Sequence, residues 1–316
     1  MAGTGIVAGT FAIGRTIPKE MRSYARSKPI RPQFARQAVN ARAWGPWTRG
    51  DLGSGMDFVV VSRPRSGSNM LVDVLDQHPA VRCFGELMHP HMISYGIDPA
   101  RGEITEADPG ALQARAARPV AFLRAQAARS GAARVGFKHI LEHDETLVAR
   151  FAADPGLRIV LLTRRDVLAE FRSRVRALRT GEWFSIPAAQ GGCGGAAEPL
   201  ALRGRDFMTF FELRRQELLR AEAALAPAEA AGRVLRVFYE DLERGGTARG
   251  QVWAFLGLSA DGAGELAART RVQRRSPARY RRDMFYRALE TAYTALGEHG
   301  FRRALDRGRR IRSALR

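Results

Sequence analysis

Short apolar runs alternate with longer amphipathic ones from residue 56 onward. Phe58–Val61 is uniformly apolar and β-branched, the signature of a strand buried on both faces of a parallel sheet. Leu157–Thr163 (LRIVLLT), Arg134–Ile140 (RVGFKHI) and Arg233–Leu242 (RVLRVFYEDL, a strand and its exit) read the same way. Between them the period lengthens. Met70, Leu71, Val74 and Leu75 recur at helical spacing, as does VLAEFRSRVRAL after residue 166. In residues 206–225, Phe207, Phe210, Phe211, Leu213, Leu218 and Leu219 fall on one broad, core-facing stripe. Residues 99–134 are Ala/Arg-rich and predict one or two helices packed on the sheet, and Arg249–Leu258 predicts a closing helix. The pattern predicts an α/β fold with a central, mostly parallel sheet flanked by helices.

Two crossovers carry the candidate chemistry. After the first strand comes the polar loop Ser62, Arg63, Pro64, Arg65, Ser66, Gly67, Ser68, Asn69, and then a helix. A helix N-terminus has unpartnered N–H groups and the positive end of the macrodipole, so this order builds an anion site. Arg65 adds charge, Ser66, Ser68 and Asn69 add short donors, and Gly67 admits close backbone approach. An ordinary strand-to-helix turn with a good N-cap is the plainer alternative. The nucleotide triphosphatase pattern GxxxxGK[ST] is absent, and the loop has no lysine. In the second crossover, Arg165 ends a strand and Ser173 follows about two helical turns later, a place for a second anion.

SRPRSGSNMLVDVLDQHP resembles the 5′-phosphosulfate loop of sulfotransferases that use 3′-phosphoadenosine 5′-phosphosulfate (PAPS), and LLTRRDVLAEFRS resembles their 3′-phosphate motif. FGELMHP, VGFKHI, RALRTGEWFS, and VLRVFYEDL followed by FLGL are similar to the bacterial carbohydrate branch, the nodulation-factor and trehalose sulfotransferase type, over residues 56–300. The resemblance implies a three-layer, P-loop-like fold and in-line sulfuryl transfer to a hydroxyl of a carbohydrate or glycolipid, with no metal required. It places Arg65 and the amides of Ser66, Gly67, Ser68 and Asn69 on the leaving phosphate, and Arg165 and Ser173 on the 3′-phosphate. Tyr239 would lie near the adenine, and Arg274 and Arg275 in a basic loop over the 3′-phosphate. Packing at the sheet's end and a solvated charge run are the plainer readings of these last three. Glu86 would be the general base, with its pKa raised by desolvation, and His89 is the alternative base. One departure is Arg65 where many relatives carry lysine, which keeps the charge but makes proton donation less plausible. Lys138, which no lysine follows, is either chosen for its compact ammonium or incidental.

Charge changes the picture at the ends. Of a net +19, residues 1–50 carry nine Lys/Arg against one acid, and residues 301–316 carry seven Arg against one acid. The division expected is a basic leader (1–50), a sulfotransferase domain (51–300) and an Arg-rich tail (301–316). The leader reads as disordered or as a surface meeting anionic lipid. No nucleic-acid motif accompanies the charge. Gly5–Gly14 is too short to span a bilayer and lacks signal-peptide flanks. Two cysteines make no disulfide framework, so a reducing cytoplasm is expected, with peripheral membrane contact through the basic ends and an oligomer left open. The histidines show no metal-ligand spacing. Arg179–Pro199 reads as a mobile acceptor lid, with Trp183 and Phe184 offering faces to a sugar. A nucleotide kinase or triphosphatase, and a non-catalytic nucleotide-binding or scaffold protein, are the competing classes.

Overall fold

The computed structural model describes Trp44, Trp47 and residues 55–98, 102–180, 183, 200–259 and 280–314. In chain order the elements are β1 (Phe58–Ser62), α1 (Ser68–Asp76), β2 (Val81–Phe84), β3 (Ile93–Asp98), β4 (Gly102–Glu106), α2 (Pro109–Ala117), α3 (Pro119–Ser130), β5 (Arg134–Ile140) and α4 (Thr146–Ala153). They continue with β6 (Arg158–Thr163), α5 (Val167–Thr180), β7 (Leu200–Leu202), α6 (Gly204–Ala230), β8 (Val234–Phe238), α7 (Tyr239–Arg244), α8 (Thr247–Leu256), β9 (Tyr280–Arg282) and α9 (Met284–Ala314).

The main sheet has the order β2-β5-β1-β6-β8, and every neighbouring pair is parallel. β1 is central because all five of its residues are apolar or small enough to be buried from both sides. Its alternation divides the core. Val59 and Val61 join Phe137, Ile159, Leu161 and side chains of α3, α4 and α6 on one face. Phe58 and Val60 join Val160, Leu162 and side chains of α1 and α8 on the other. The result is helix, sheet, helix, the three-layer arrangement expected. Gly136 in β5 is fixed by this packing, since a Cβ there would lie 2.4 Å from the Phe58 ring.

A third cluster sits beside the sheet, where Phe171 of α5 meets Phe207, Phe210 and Phe211 of α6 and Tyr286, Tyr293 and Phe301 of α9. Most of these rings meet tilted or edge to face, the arrangement favoured by ring quadrupoles. The predicted stripe on α6 therefore holds at its phenylalanines, whereas Leu219 is exposed. The change of face comes where α6 passes from this aromatic cluster to α4.

Other expectations change. The purely helical reading of residues 99–134 gives way at its start to a hairpin of β3 and β4, before α2 and α3 begin. Alanine and arginine outweigh one short alternating run in composition, which hides the strand. Residues 301–314, read as tail, continue α9 beyond a break at Gly297 (φ 65°), and Phe301 is buried. Trp44 of the leader is also buried and donates Nε1 to Asp144 Oδ2 at 2.9 Å. Among the described residues no helix is long and apolar enough to cross a membrane.

Candidate active site

The carboxyl ends of β1, β2, β5 and β6 lie side by side, so the segments leaving them share one rim, the usual ligand edge of a parallel sheet. The β1–α1 loop is anchored from beneath. Arg63 is buried and pairs with Glu170 (3.1 Å), Glu142 (3.4 Å) and Glu217, while Arg214 holds the other oxygen of Glu170 at 3.0 Å. Ser66 donates its hydroxyl back to the Arg63 carbonyl at 2.7 Å, closing the turn. Gly67 then takes a left-handed conformation (φ 89°) as the N-cap of α1. A Cβ at Gly67 would lie 2.1 Å from the Tyr239 ring, so sterics and conformation both demand glycine.

Arg65 is the unusual residue of the loop. It is the only non-glycine with positive φ (67°) among the described residues, a conformation that costs on the order of 1–3 kcal/mol. Its Nε donates to Ser173 Oγ at 2.8 Å, and its Nη1 donates to the Trp183 carbonyl. The first crossover thus touches the second directly. Among the described residues no carboxylate pairs with Arg65. Burial, with Arg164, Arg176 and Arg174 nearby, lowers its pKa to about 10.

The second crossover differs from expectation. Arg165 lies half exposed, forms a two-pronged pair with Asp241 (2.7 Å at each oxygen) and covers the Phe238 ring. The amides of Arg165 and Asp166 donate to Glu240, each at 3.0 Å. Glu240 of α7 therefore occupies the amides at the start of α5, and Asp241 occupies the Arg165 guanidinium that the sequence assigns to a second anion. Arg164, one residue earlier, reaches the loop instead. Its guanidinium lies 4.7 Å from the centre of the Tyr239 ring, and its Nη1 donates to the Arg65 carbonyl at 3.4 Å. Tyr239 is buried between Gly67 and Arg164. Arg274, Arg275 and Phe184 lie outside the described residues.

On the neighbouring strand ends, Glu86 follows β2. Lys138 Nζ of β5 lies 2.8 Å from its Oε1, and His143 Nδ1 lies 3.3 Å from its Oε2. Lys138 also donates to Asn69 Oδ1, joining the loop to Glu86. Burial works to raise the Glu86 pKa, but Lys138, His143 and His89 override it and hold the carboxyl at about 2. The expected upward shift is thereby reversed: the ammonium delivered by the neighbouring strand outweighs desolvation. His89 is buried and pushed down to about 3, chiefly by that burial and then by His143.

Residues 57–261 match the model of the sulfotransferase family. The chain belongs to that family. Among curated proteins, the sulfotransferase is 26% identical to nodulation protein H of Rhizobium tropici over 229 residues, which is 70% of this chain and 84% of that protein. It is 28% identical to nodulation protein H of Rhizobium meliloti over 133 residues, 41% of this chain and 50% of that protein. Among solved structures, a sulfotransferase from Alicyclobacillus acidocaldarius aligns at 16% identity over 76% of this chain and 91% of that one, with a TM-score of 0.43. Mouse sulfotransferase SULT7A1 complexed with PAP aligns at 16% identity over 67% of this chain and 62% of that one, with a TM-score of 0.38.

Sequence reading missed two members of this enzyme's rim. Arg164 was passed over for Arg165, because the eight-residue spacing to Ser173 does not say which guanidinium turns inward. His143 was set aside for want of ligand spacing, yet it meets Glu86 and His89 in space. Glu86, His89 and His143 bring ligand atoms within 4.8 Å of one another, so by distance the trio fits a metal ion. The Lys138 ammonium on the same carboxylate opposes a second cation there.

Proposed function

We propose that the donor is PAPS and that the acceptor is a hydroxyl of a carbohydrate or glycolipid. The observation that carries this reading is Arg65, a half-buried cation that pairs with no acid among the described residues and joins the Ser173 hydroxyl of the second crossover beside Arg164. Such a site is completed by an anion from outside, and two adjoining grips suit a nucleotide with phosphates at two positions. The likeness to nodulation protein H supports a carbohydrate acceptor.

In this reading the acceptor oxygen attacks sulfur in line as the bond from sulfur to the 5′-phosphate oxygen breaks. Arg65 and the amides of Ser66–Asn69 stabilise the charge that gathers on the leaving oxygen, a preorganised contribution that needs no metal. Ser173 holds the 3′-phosphate with Arg164, and Arg165 joins by exchanging Asp241 for the phosphate. Arg274 and Arg275 supply the outer cover. The base belongs to the cluster around Glu86, which gathers Lys138, His143 and His89. The basic ends make peripheral contact with anionic membrane, and the enzyme works in the reducing cytoplasm.

Calorimetry of 3′-phosphoadenosine 5′-phosphate (PAP) against ADP, together with transfer of label from 35S-PAPS onto a cell carbohydrate extract, tests the reading. Preference for PAP and labelled glycans are expected. Equal affinity for the two nucleotides with no labelled product would refute it.

A further inference from the structure

His143 stands at the tip of β5, where its amide donates to the Ile140 carbonyl at 3.0 Å and the neighbouring Leu141 amide donates to the Ser62 carbonyl at 2.9 Å. This pins it beside the start of the donor loop. The Glu86 carboxylate at 3.3 Å favours the tautomer with the proton on Nδ1, which leaves the Nε2 lone pair free to act. His89 is set differently. Its Nδ1 accepts the His91 amide at 3.1 Å, so in the neutral ring the proton sits on Nε2 and no basic nitrogen remains. Glu86 is also engaged, one oxygen by Lys138 and the other by His143. His143 is the most accessible of the three, its side chain 22% exposed against 14% for Glu86. The His89 ring packs edge-on against it at 4.2 Å and fixes its plane.

Resting on the sulfuryl-transfer reading above, we propose that His143 Nε2 takes the proton of the acceptor hydroxyl, with Glu86 as the positioning carboxylate behind it. The O–H bond breaks toward Nε2, the acceptor oxygen forms its bond to sulfur, and the electron pair of the old S–O bond leaves on the 5′-phosphate. The imidazolium so formed is paired with Glu86 and later returns its proton to water. The charged and titratable groups facing His143 are Glu86, Glu142, Lys138, His89, His91 and His139. Burial is the main influence on the ring and lowers its pKa, so near pH 7 it stands neutral with Nε2 open to a proton.

The test uses the full chain, 35S-PAPS and a cell carbohydrate extract. His143→Gln should lower kcat by about 10²- to 10⁴-fold, the span usual for a general base. PAP affinity by calorimetry should stay within about twofold of wild type, because the variant keeps the donor loop. In His143→Ala, added imidazole should restore part of the transfer in proportion to its free-base fraction, and Glu86→Asp should retain more activity than Glu86→Gln. A His143→Gln enzyme with unchanged kcat, a folded and PAP-binding His143→Ala enzyme that imidazole does not rescue, or activity removed by a chelator and restored by zinc would each overturn the assignment. A wild-type enzyme that binds PAP yet moves no label would remove the reading beneath it, a failure distinct from one confined to His143.

Discussion

The two halves of the rim are built on opposite electrostatic plans. Around Arg65 one positive charge is left uncompensated: among the described residues its strained backbone carries a guanidinium that meets a serine and no carboxylate, whereas the nearby Arg164 and Arg174 pair with Glu240 and Glu142. Around Glu86 every charge has its counterpart, an ammonium on one oxygen and an imidazole on the other. The first region is finished only by an anionic ligand. The second is already neutralised and is suited to passing a proton. Lys138 touches both, through Asn69 and through Glu86, so occupation of one half should be felt in the other.

That contrast breaks in graded ways. The largest effect is expected from Glu86→Gln, which removes the negative charge behind the imidazole and should lower kcat about 10²- to 10⁴-fold while PAP binding persists. Arg65→Ala should reduce kcat about 10²- to 10³-fold, as loss of a preorganised oxyanion donor does, with a smaller change in PAP affinity. Lys138→Met should let burial raise the Glu86 carboxyl, so the acid limb of the pH–rate profile moves to higher pH. A limb that stays in place would show that Lys138 does not set the Glu86 charge. The smallest change separates neighbouring arginines. Arg164→Ala should weaken PAP by roughly tenfold, the scale of one charged hydrogen bond, and Arg165→Ala by less because Asp241 already holds it.

Stability gives an independent check of the neutralised half. Buried His139 is held near 4, mainly by burial, and His89 near 3. The unfolded chain takes up protons below about pH 6.5 that the folded rings refuse, so stability should fall as pH drops from about 6.5 toward 4. The loss should be on the order of 3 kcal/mol for His139 alone. Glu86, held at about 2, adds a second loss between about pH 4.5 and 2, where the unfolded carboxyl protonates first. Urea melts at a series of pH values would show both.

Four of the five strands of the main sheet and the loop from Ser62 to Asn69 were legible because apolar runs and a glycine-bearing polar turn are local signals, whereas β2 carries Arg82 in only four residues. Strand order was not, and the rest of the rim follows from it. Lys138 meets Glu86 only because β5 inserts between β1 and β2. With the partner unknown, burial alone argued for a raised carboxyl, the wrong direction. Arg164 and Arg165 look interchangeable in a string, and only the acids of α7, some 75 residues later, decide which one turns to the loop. The β3–β4 hairpin was masked by the helix-like composition beside it.

The central claim is that two crossovers hold one doubly phosphorylated nucleotide, and competitive calorimetry with PAP and ADP on wild-type and Arg65→Ala protein tests it most directly. The account predicts PAP binding tighter than ADP by at least about tenfold in the wild type, one charged hydrogen bond's worth. It also predicts that Arg65→Ala keeps this preference, because the 3′-phosphate is read by the second crossover. Equal affinities, or a preference that vanishes with Arg65, would contradict it.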